Sequence, residues 1–480
     1  MTDVQKNNSR LIASIDDAKV LYAAPPVEFT GKMGVEVEMP LIDARRGKPE
    51  VPTAAEMEKL QGVLRAKGFD AQLEPAGVLE YASPATTPDA AAVSRLVDVL
   101  RQELGTFTKS AEDAGFTRVP FSIVPTTTEQ DALDKIVSRP RLQVSIGAMK
   151  EIFPADTLRL PLLTSAVQVS FSPKDENEMF DMARRAYALT PLLMAACNTL
   201  SGYVVNEDEK VGTLPRAKYY QGYGRAGGLS EAFLKATNGK EFIENHIREV
   251  FDAPMHFAYD KDGNLFPASK EKPITFAGLA AEGLNNQSNY ELAETFLYND
   301  IKICNLRDEA GNVVGKRMEV RGADSGIDQP VMAALLSAAI VPAGPQAKAF
   351  DGLLKEYGFT GNPTVDAPLL KGAREAVVNH GGQFMDVAFG KDAKTGEARS
   401  LRDFAADVAN IVATRYENQP ELASDVSRLV QVLLTGDCDA KLFSQKFDTI
   451  KDASDYMLAQ AKPENKPAPV IAAPRMVIGK

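Results

Sequence analysis

The segment GKMGVEVEMPLID, residues 31–43, constrains the chain more than any other stretch. Val35 and Val37 alternate with Glu36 and Glu38, and a period of two is the signal of a strand with unlike faces. Residues i and i+2 of a strand point to the same side. Both glutamates therefore share one face, and the valines define the other. Two carboxylates so close repel each other unless solvent, basic groups or metal ions compensate. The strand is either a solvated polar face or one wall of a cation-holding site.

Further strands follow the same logic. In SAVQVSFSP, residues 165–173, Val167, Val169 and Phe171 fall on one side and Gln168 and Ser170 on the other. VLEYASP makes a short strand that enters a turn and carries Glu80. DAPMHFAYDKDGNLF reads as two strands about a Lys-Asp-Gly turn, and YNDIKICNLRDEAGNVVGKRMEVRG as two about Ala310, Gly311 and Asn312. Helices are predicted over 53–67, with Met57, Leu60, Val63 and Leu64 at helical spacing, over Asp89 to Leu104, and from Glu176 to about Leu200. From Gln329 onward the pattern is mostly helical.

Strands and helices are mixed without regular strand–crossover alternation, which favours an α+β fold with an antiparallel sheet over a doubly wound one. The expected organisation is an N-terminal extension (1–30), a catalytic core (31–335), a helical portion (336–460) and a Pro-rich tail (461–480). The helical portion either wraps the sheet or forms a layer of its own.

Charge narrows the function. With 65 acidic and 54 basic residues the net charge is -11, which makes the 480-residue chain a poor generic partner for nucleic acid. No uninterrupted apolar run reaches membrane-spanning length. Cys197, Cys304 and Cys438 lie far apart and form no CxxC pair. Such a sparse, odd set suits a reducing compartment, so the cytoplasm is the expected location. His246, His256 and His380 form no zinc motif.

The acids gain meaning from KRMEVRGADSG, residues 316–326. Arg317, Glu319 and Arg321 alternate and should project together, an acid between two guanidinium groups suited to phosphate or carboxylate. Asp324 follows closely. A surface ion-pair strand is the plain alternative, as an ordinary surface acid is for Glu80. Together with Glu36 and Glu38 the set suggests phosphoryl transfer, in which a metal neutralises phosphate charge. No Walker A sequence is present. GYGRAGG at 222–228 lacks the required lysine and hydroxyl residue and reads as a loop.

These blocks, GVEVEMPLID, VLEYASPATTPDA, TSAVQVSFSPKDENEMFDMARRAYALTPLLMAACNT, REVFDAPMHFAYDKDGNLF and KRMEVRGADSG, occur in an order that resembles the glutamate–cysteine ligase family, within the glutamine-synthetase-like carboxylate–amine ligases. The resemblance spans roughly residues 30 to 330. It implies a curved antiparallel sheet as an active-site platform surrounded by helices. It implies ATP-dependent joining of the γ-carboxylate of glutamate to the amine of cysteine through an acyl phosphate, with magnesium required and manganese able to substitute. Residue by residue, it makes Glu36, Glu38, Glu80 and Glu319 metal ligands. Gln168 would complete a metal or nucleotide site, Arg321 would stabilise phosphate and Arg225 would bind substrate or phosphate. The chain departs from the family at Asn198-Thr199-Leu200-Ser201, where NSPF is usual, and at Glu291-Leu292-Ala293-Glu294, where a histidine often follows E-L. Trp, common around related sites, does not occur. The alternatives are a divergent γ-glutamyl–amine or other carboxylate–amine ligase, and an inactive protein of the same fold.

Overall fold

The computed structural model describes residues 10–45, 48–152, 162, 164–200, 214, 216–218, 228–308, 310–380, 385–447 and 449–460. In chain order its strands are β1 (Met33–Asp43), β2 (Ala71–Leu73), β3 (Val78–Ala82), β4 (Phe116–Arg118), β5 (Ala166–Phe171), β6 (Pro254–Met255) and β7 (Phe257–Tyr259). There follow β8 (Leu265–Pro267), β9 (Ile274–Thr275), β10 (Ile301–Arg307), β11 (Val313–Asp324), β12 (Ala388–Lys391) and β13 (Ala398–Ser400).

Seven strands form one sheet in the order β10-β11-β5-β1-β3-β2, with β4 also paired to β1. Every pairing is antiparallel. The long β1 organises the sheet: Met33 to Val37 pair with β5, Glu36 to Pro40 with β3, and Leu41 to Asp43 with β4. The remaining ladders are two-stranded, β6 with β9, β7 with β8 and β12 with β13. The β7–β8 and β10–β11 hairpins lie where the turn residues predict them.

The apolar halves of the alternating strands supply the core. Val35, Val37, Met39, Val167, Val169, Phe171, Met318 and Val320 are all at most 1% exposed. They back onto the helices Glu176–Ala196 and Gln329–Ile340. The second of these is apolar on every side and buried along its whole length, as expected of a helix enclosed by protein. Leu401–Tyr416 and Ala423–Thr435 pack outside it, so one hydrophobic cluster runs from Ile12 to Ala440.

Capping sets the helix starts. Thr53 and Glu56 close a reciprocal capping box at Ala54–Ala66, and Asp89 caps Ala90–Asp113 through the Ala92 N–H. The latter helix outruns the predicted end at Leu104 because Leu104, Phe107 and Ala111 continue its buried stripe. The helix predicted to reach about Leu200 ends at Ala196. Among the described residues no single helix is long and apolar enough to cross a membrane.

Candidate active site

The polar halves of the same strands meet on the opposite face of the sheet. Register places Glu36 opposite Gln168 of β5, Glu38 opposite Glu80 of β3, and Glu80 opposite Gln72 of β2. On the other side Glu319 lies opposite Ser170 and Lys302, and Arg317 opposite Cys304. Residues from distant parts of the chain thus form one polar surface, because each strand keeps its alternation in register.

Side-chain contacts link this surface. Arg317 Nη1 lies 2.8 Å from Glu36 Oε1, and Arg317 Nη2 lies 2.7 Å from Glu319 Oε1. Arg317 also donates to Ser170 Oγ. Arg321 Nη1 donates to Glu319 Oε2 and Gln168 Oε1, both at 2.9 Å. Gln168 Nε2 donates to Glu38 Oε1 at 2.9 Å, and the Ala166 N–H to Glu38 Oε2 at 2.6 Å. The line Glu36–Arg317–Glu319–Arg321–Gln168–Glu38 is therefore continuous. Charge-assisted bonds of this kind are the strong ones and fix orientation.

The acids are driven apart electrically. Burial pushes the Glu36 carboxyl up despite Arg317, and pushes Glu38 up despite Arg321 and the Ala166 N–H. Burial and then the neighbouring charges of Glu74, Glu36 and Glu38 raise Glu80 far above the usual carboxylate range. Burial also acts on Glu319, but Arg317, Arg321 and Lys302 together outweigh it and hold the carboxyl at about 2. One acid stays ionised between two arginines, while a group of acids resists ionisation beside it.

Glu74 belongs to that group, although the sequence pattern does not single it out. It follows β2 just before the turn into β3 and continues the alternation of Gln72 against Ala71 and Leu73. Burial and then Glu38 push its carboxyl up to about 7. Its sequence signals are this brief alternation and proximity to Glu80 across a short hairpin. Arg216 was missed as well. Its Nε lies 2.8 Å from Asp324 Oδ1 and its Nη2 donates to the Arg321 carbonyl at 3.0 Å. Asp324 is brought into the site region by this contact. It also accepts from Ser122 Oγ and the Thr199 N–H, so Thr199 of the departed NSPF-type turn acts as its support.

The donor set suits a hard cation: carboxylate oxygens that repel each other and one side-chain amide. Among the described residues no three His, Cys, Asp or Glu side chains form a closed metal-binding group. Several oxygens of Glu36, Glu38 and Glu319 are turned instead to arginine, amide and backbone donors. The chemistry of the set fits a divalent cation, which would offset the burial, and the neighbouring charge, that raise Glu38, Glu74 and Glu80.

The other candidates fall elsewhere. Arg225 lies outside the described residues, as does most of the glycine-rich 222–228 loop. Cys197 is fully buried among core side chains. Burial, then Glu319, pushes the Cys304 thiol up to about 12, which keeps it protonated beside Arg317. His246 contacts Glu294 at 3.2 Å and His256 contacts Ser145 at 2.9 Å. Ala293, where the family often carries histidine, is 0% exposed in the core.

A cavity of about 490 Å³ lies against the helices Glu231–Leu234 and Gly239–Asp252, lined among others by Lys235, Arg248, Glu249, Asp252, Leu297 and Asn299. Asn299 also lines a small space beside Arg216, Asp300 and Arg321.

The model of glutamate–cysteine ligase family 2 (GCS2) matches residues 32–388, which contain every strand of this sheet. The chain belongs to the glutamate–cysteine ligase family. Glutamate–cysteine ligase from Francisella tularensis, solved in complex with AMP, is 12% identical with a TM-score of 0.51, over 93% of this chain and 91% of that one. A bifunctional glutathione synthetase from Pasteurella multocida is 12% identical with a TM-score of 0.45, over 97% of this chain and 54% of that one. The likeness to the Francisella ligase concerns the fold, a curved antiparallel sheet surrounded by helices in the glutamine-synthetase-like manner. No protein of curated description matches the sequence of this family member.

Proposed function

We propose that the chain is an ATP-dependent carbon–nitrogen ligase that forms γ-glutamylcysteine from glutamate and cysteine through a γ-glutamyl phosphate. The observation that carries this reading is the continuous line from Glu36 through Arg317, Glu319, Arg321 and Gln168 to Glu38. Two guanidinium groups are held before any ligand arrives, and preorganised donors stabilise charge as it develops on a transferring phosphoryl group. Glu319, ionised between them, keeps both aimed across the same face.

In this reading the substrate γ-carboxylate attacks the γ-phosphorus of ATP, and the bond to ADP breaks. The amine then attacks the acyl carbon, phosphate leaves and the amide forms. Arg317 and Arg321 bind phosphoryl oxygens, Gln168 orients Arg321 through its amide oxygen, and Arg225 binds substrate carboxylate or phosphate. Glu36, Glu38, Glu74, Glu80 and Glu319 would hold magnesium or manganese. Such a cation, when bound, neutralises ATP phosphate charge. A protein of like fold was solved with AMP, and a nucleotide is proposed for this face too. The cavity lined by Lys235, Arg248, Glu249 and Asp252 gives the acceptor room, and its mixed charges suit a small molecule bearing both an ammonium and a carboxylate. The product belongs to glutathione biosynthesis, and the cytoplasm is the proposed location.

The buried Ala293 favours one second reading, a ligase of the same chemistry with another amine acceptor. A single assay separates the readings. Purified protein is given ATP, magnesium, glutamate and a panel of amines, and released phosphate and the ligated product are measured. A cysteine-dependent γ-glutamylcysteine product supports the proposal. Ligation only with another amine moves it to the second reading. Folded protein without ATP-dependent ligation across the panel makes it a binding or regulatory member of the fold.

A further inference from the structure

We propose that Arg216 is a positioning residue for Arg321, acting through a β-bulge that only the paired strands reveal. This rests on the reading of Arg321 as a phosphoryl-binding residue. Strand β11 pairs with β5 regularly up to Val320 opposite Val169, and pairing resumes at Ala323 opposite Val167. Arg321 and Gly322 therefore stand together opposite the single residue Gln168. One extra residue in a strand bends it and re-aims its side chains, and bulges recur beside active sites for this reason.

The bulge has two consequences. It takes the Arg321 carbonyl out of the regular ladder, and a backbone carbonyl at a buried position needs a donor. It also reverses the alternation beyond Gly322, since a one-residue slip exchanges the faces of a strand. Ala323 turns to the core at 1% exposure, and Asp324 takes the polar row of Glu38. With strict alternation from Glu319, Asp324 would have faced the core.

Arg216 joins the two consequences. Its Nη2 donates to the Arg321 carbonyl at 3.0 Å, and its Nε lies 2.8 Å from the re-aimed Asp324. Asp324 is fixed in turn by Ser122 and Thr199, and the Arg321 N–H donates to the Asp300 carbonyl at 2.9 Å. Gly322 completes the arrangement, because a Cβ there would stand 3.3 Å from Leu193 Cδ2 and crowd the helix beneath. Arg216 and Asp324 are 4% and 7% exposed. The Arg321 guanidinium then has a rigid base from which to reach Gln168 and Glu319.

The experiment is a double-mutant cycle in the full chain with Arg216→Met, Arg321→Met and the double variant. Arg216→Met should lower kcat by up to about 100-fold, the cost of a small misplacement at a reacting centre, with a much smaller change in KM for the amine. If Arg216 acts through Arg321, the double variant loses no more than Arg321→Met alone. Multiplying losses would overturn the proposal. Arg216→Lys, which keeps one donor toward the carbonyl, should restore part of kcat even if the Met variant folds poorly. A crystal structure of Arg216→Met gives a readout independent of turnover. Arg321 should leave Gln168 and Glu319, and its retention at both within hydrogen-bond distance would refute the role. Wild-type protein without ligation would sink the proposed function, while the crystal structure would still decide the positioning.

Discussion

Glu38 and Glu80 stand directly opposite each other across the β1–β3 pair. Two carboxylates in directly opposed positions of a sheet destabilise it when both are ionised, so the pair favours keeping a proton. Burial raises both carboxyls, and Glu74 adds to the charge felt by Glu80. Glu80→Gln should therefore stabilise metal-free protein at neutral pH in urea unfolding, because the amide stays neutral without taking up a proton on folding. The same substitution should reduce the stabilisation that magnesium confers on the wild type. An unchanged magnesium response would remove Glu80 from the proposed cation site.

Arg321 makes two bonds through one nitrogen, to Gln168 and Glu319. A lysine presents a point charge and cannot reproduce a planar fork. Arg321→Lys should lower kcat by about 10²–10³-fold, the range for removing one preorganised donor to a developing charge. Steady-state kinetics against ATP and glutamate would check this. A loss confined to KM would mean that Arg321 binds ground state and transition state alike.

The pH dependence of stability should have two limbs of opposite sign. Glu74 sits at about 7 in the fold against an ordinary 4.5. A raised carboxyl contributes fully below the unfolded value, and its contribution is lost as pH rises through the folded one. Metal-free protein should thus weaken between about pH 4.5 and 7, and Glu74→Gln should flatten that decline. Glu319 is held at about 2, so its contribution is present above 4.5 and lost as pH falls toward 2. Urea unfolding across pH in the presence of a chelator would resolve both limbs.

On the core side of β11, Lys316 meets Glu294 and donates to Asn305 Oδ1 at 2.7 Å. Tyr22 donates to Glu294 Oε1 at 2.6 Å, and its ring lies 4.7 Å from the Lys316 ammonium. Burial pushes Glu294 up, but Lys316 and His246 outweigh it and hold it at about 2. Removing one partner of a buried pair leaves the other charge uncompensated, at a cost of about 3–5 kcal/mol. Lys316→Met should cost that much in urea unfolding, and adding Glu294→Leu should recover part of it.

Much of the polar face was legible because alternation is a local property. Glu36 and Glu38, Gln168 and Ser170, and Arg317, Glu319 and Arg321 all lie on the sides that a period of two assigns. Helix starts at Thr53 and Asp89 were equally legible, since a cap needs only its own first turn. Glu74 follows the same period of two, with Gln72 against Ala71 and Leu73, but the strand is only three residues long and its meeting with Glu38 depends on how β2, β3 and β1 pair. Arg216 escaped because its significance depends on a carbonyl more than a hundred positions away.

By itself, then, the sequence determined which side chains share a face within each strand, where helices begin, and that the chain mixes strands and helices without regular crossover. Those outcomes follow from backbone geometry over a few residues. Tertiary structure alone decided that β1, β3, β5 and β11 lie side by side, that Glu38 meets Glu80, and that Arg321 and Gly322 share one partner. Register is a relation between strands, set by how distant apolar faces pack. The bulge shows the difference most sharply, since one extra residue moves Asp324 from the core face, where its own local pattern places it, to the polar row of Glu38.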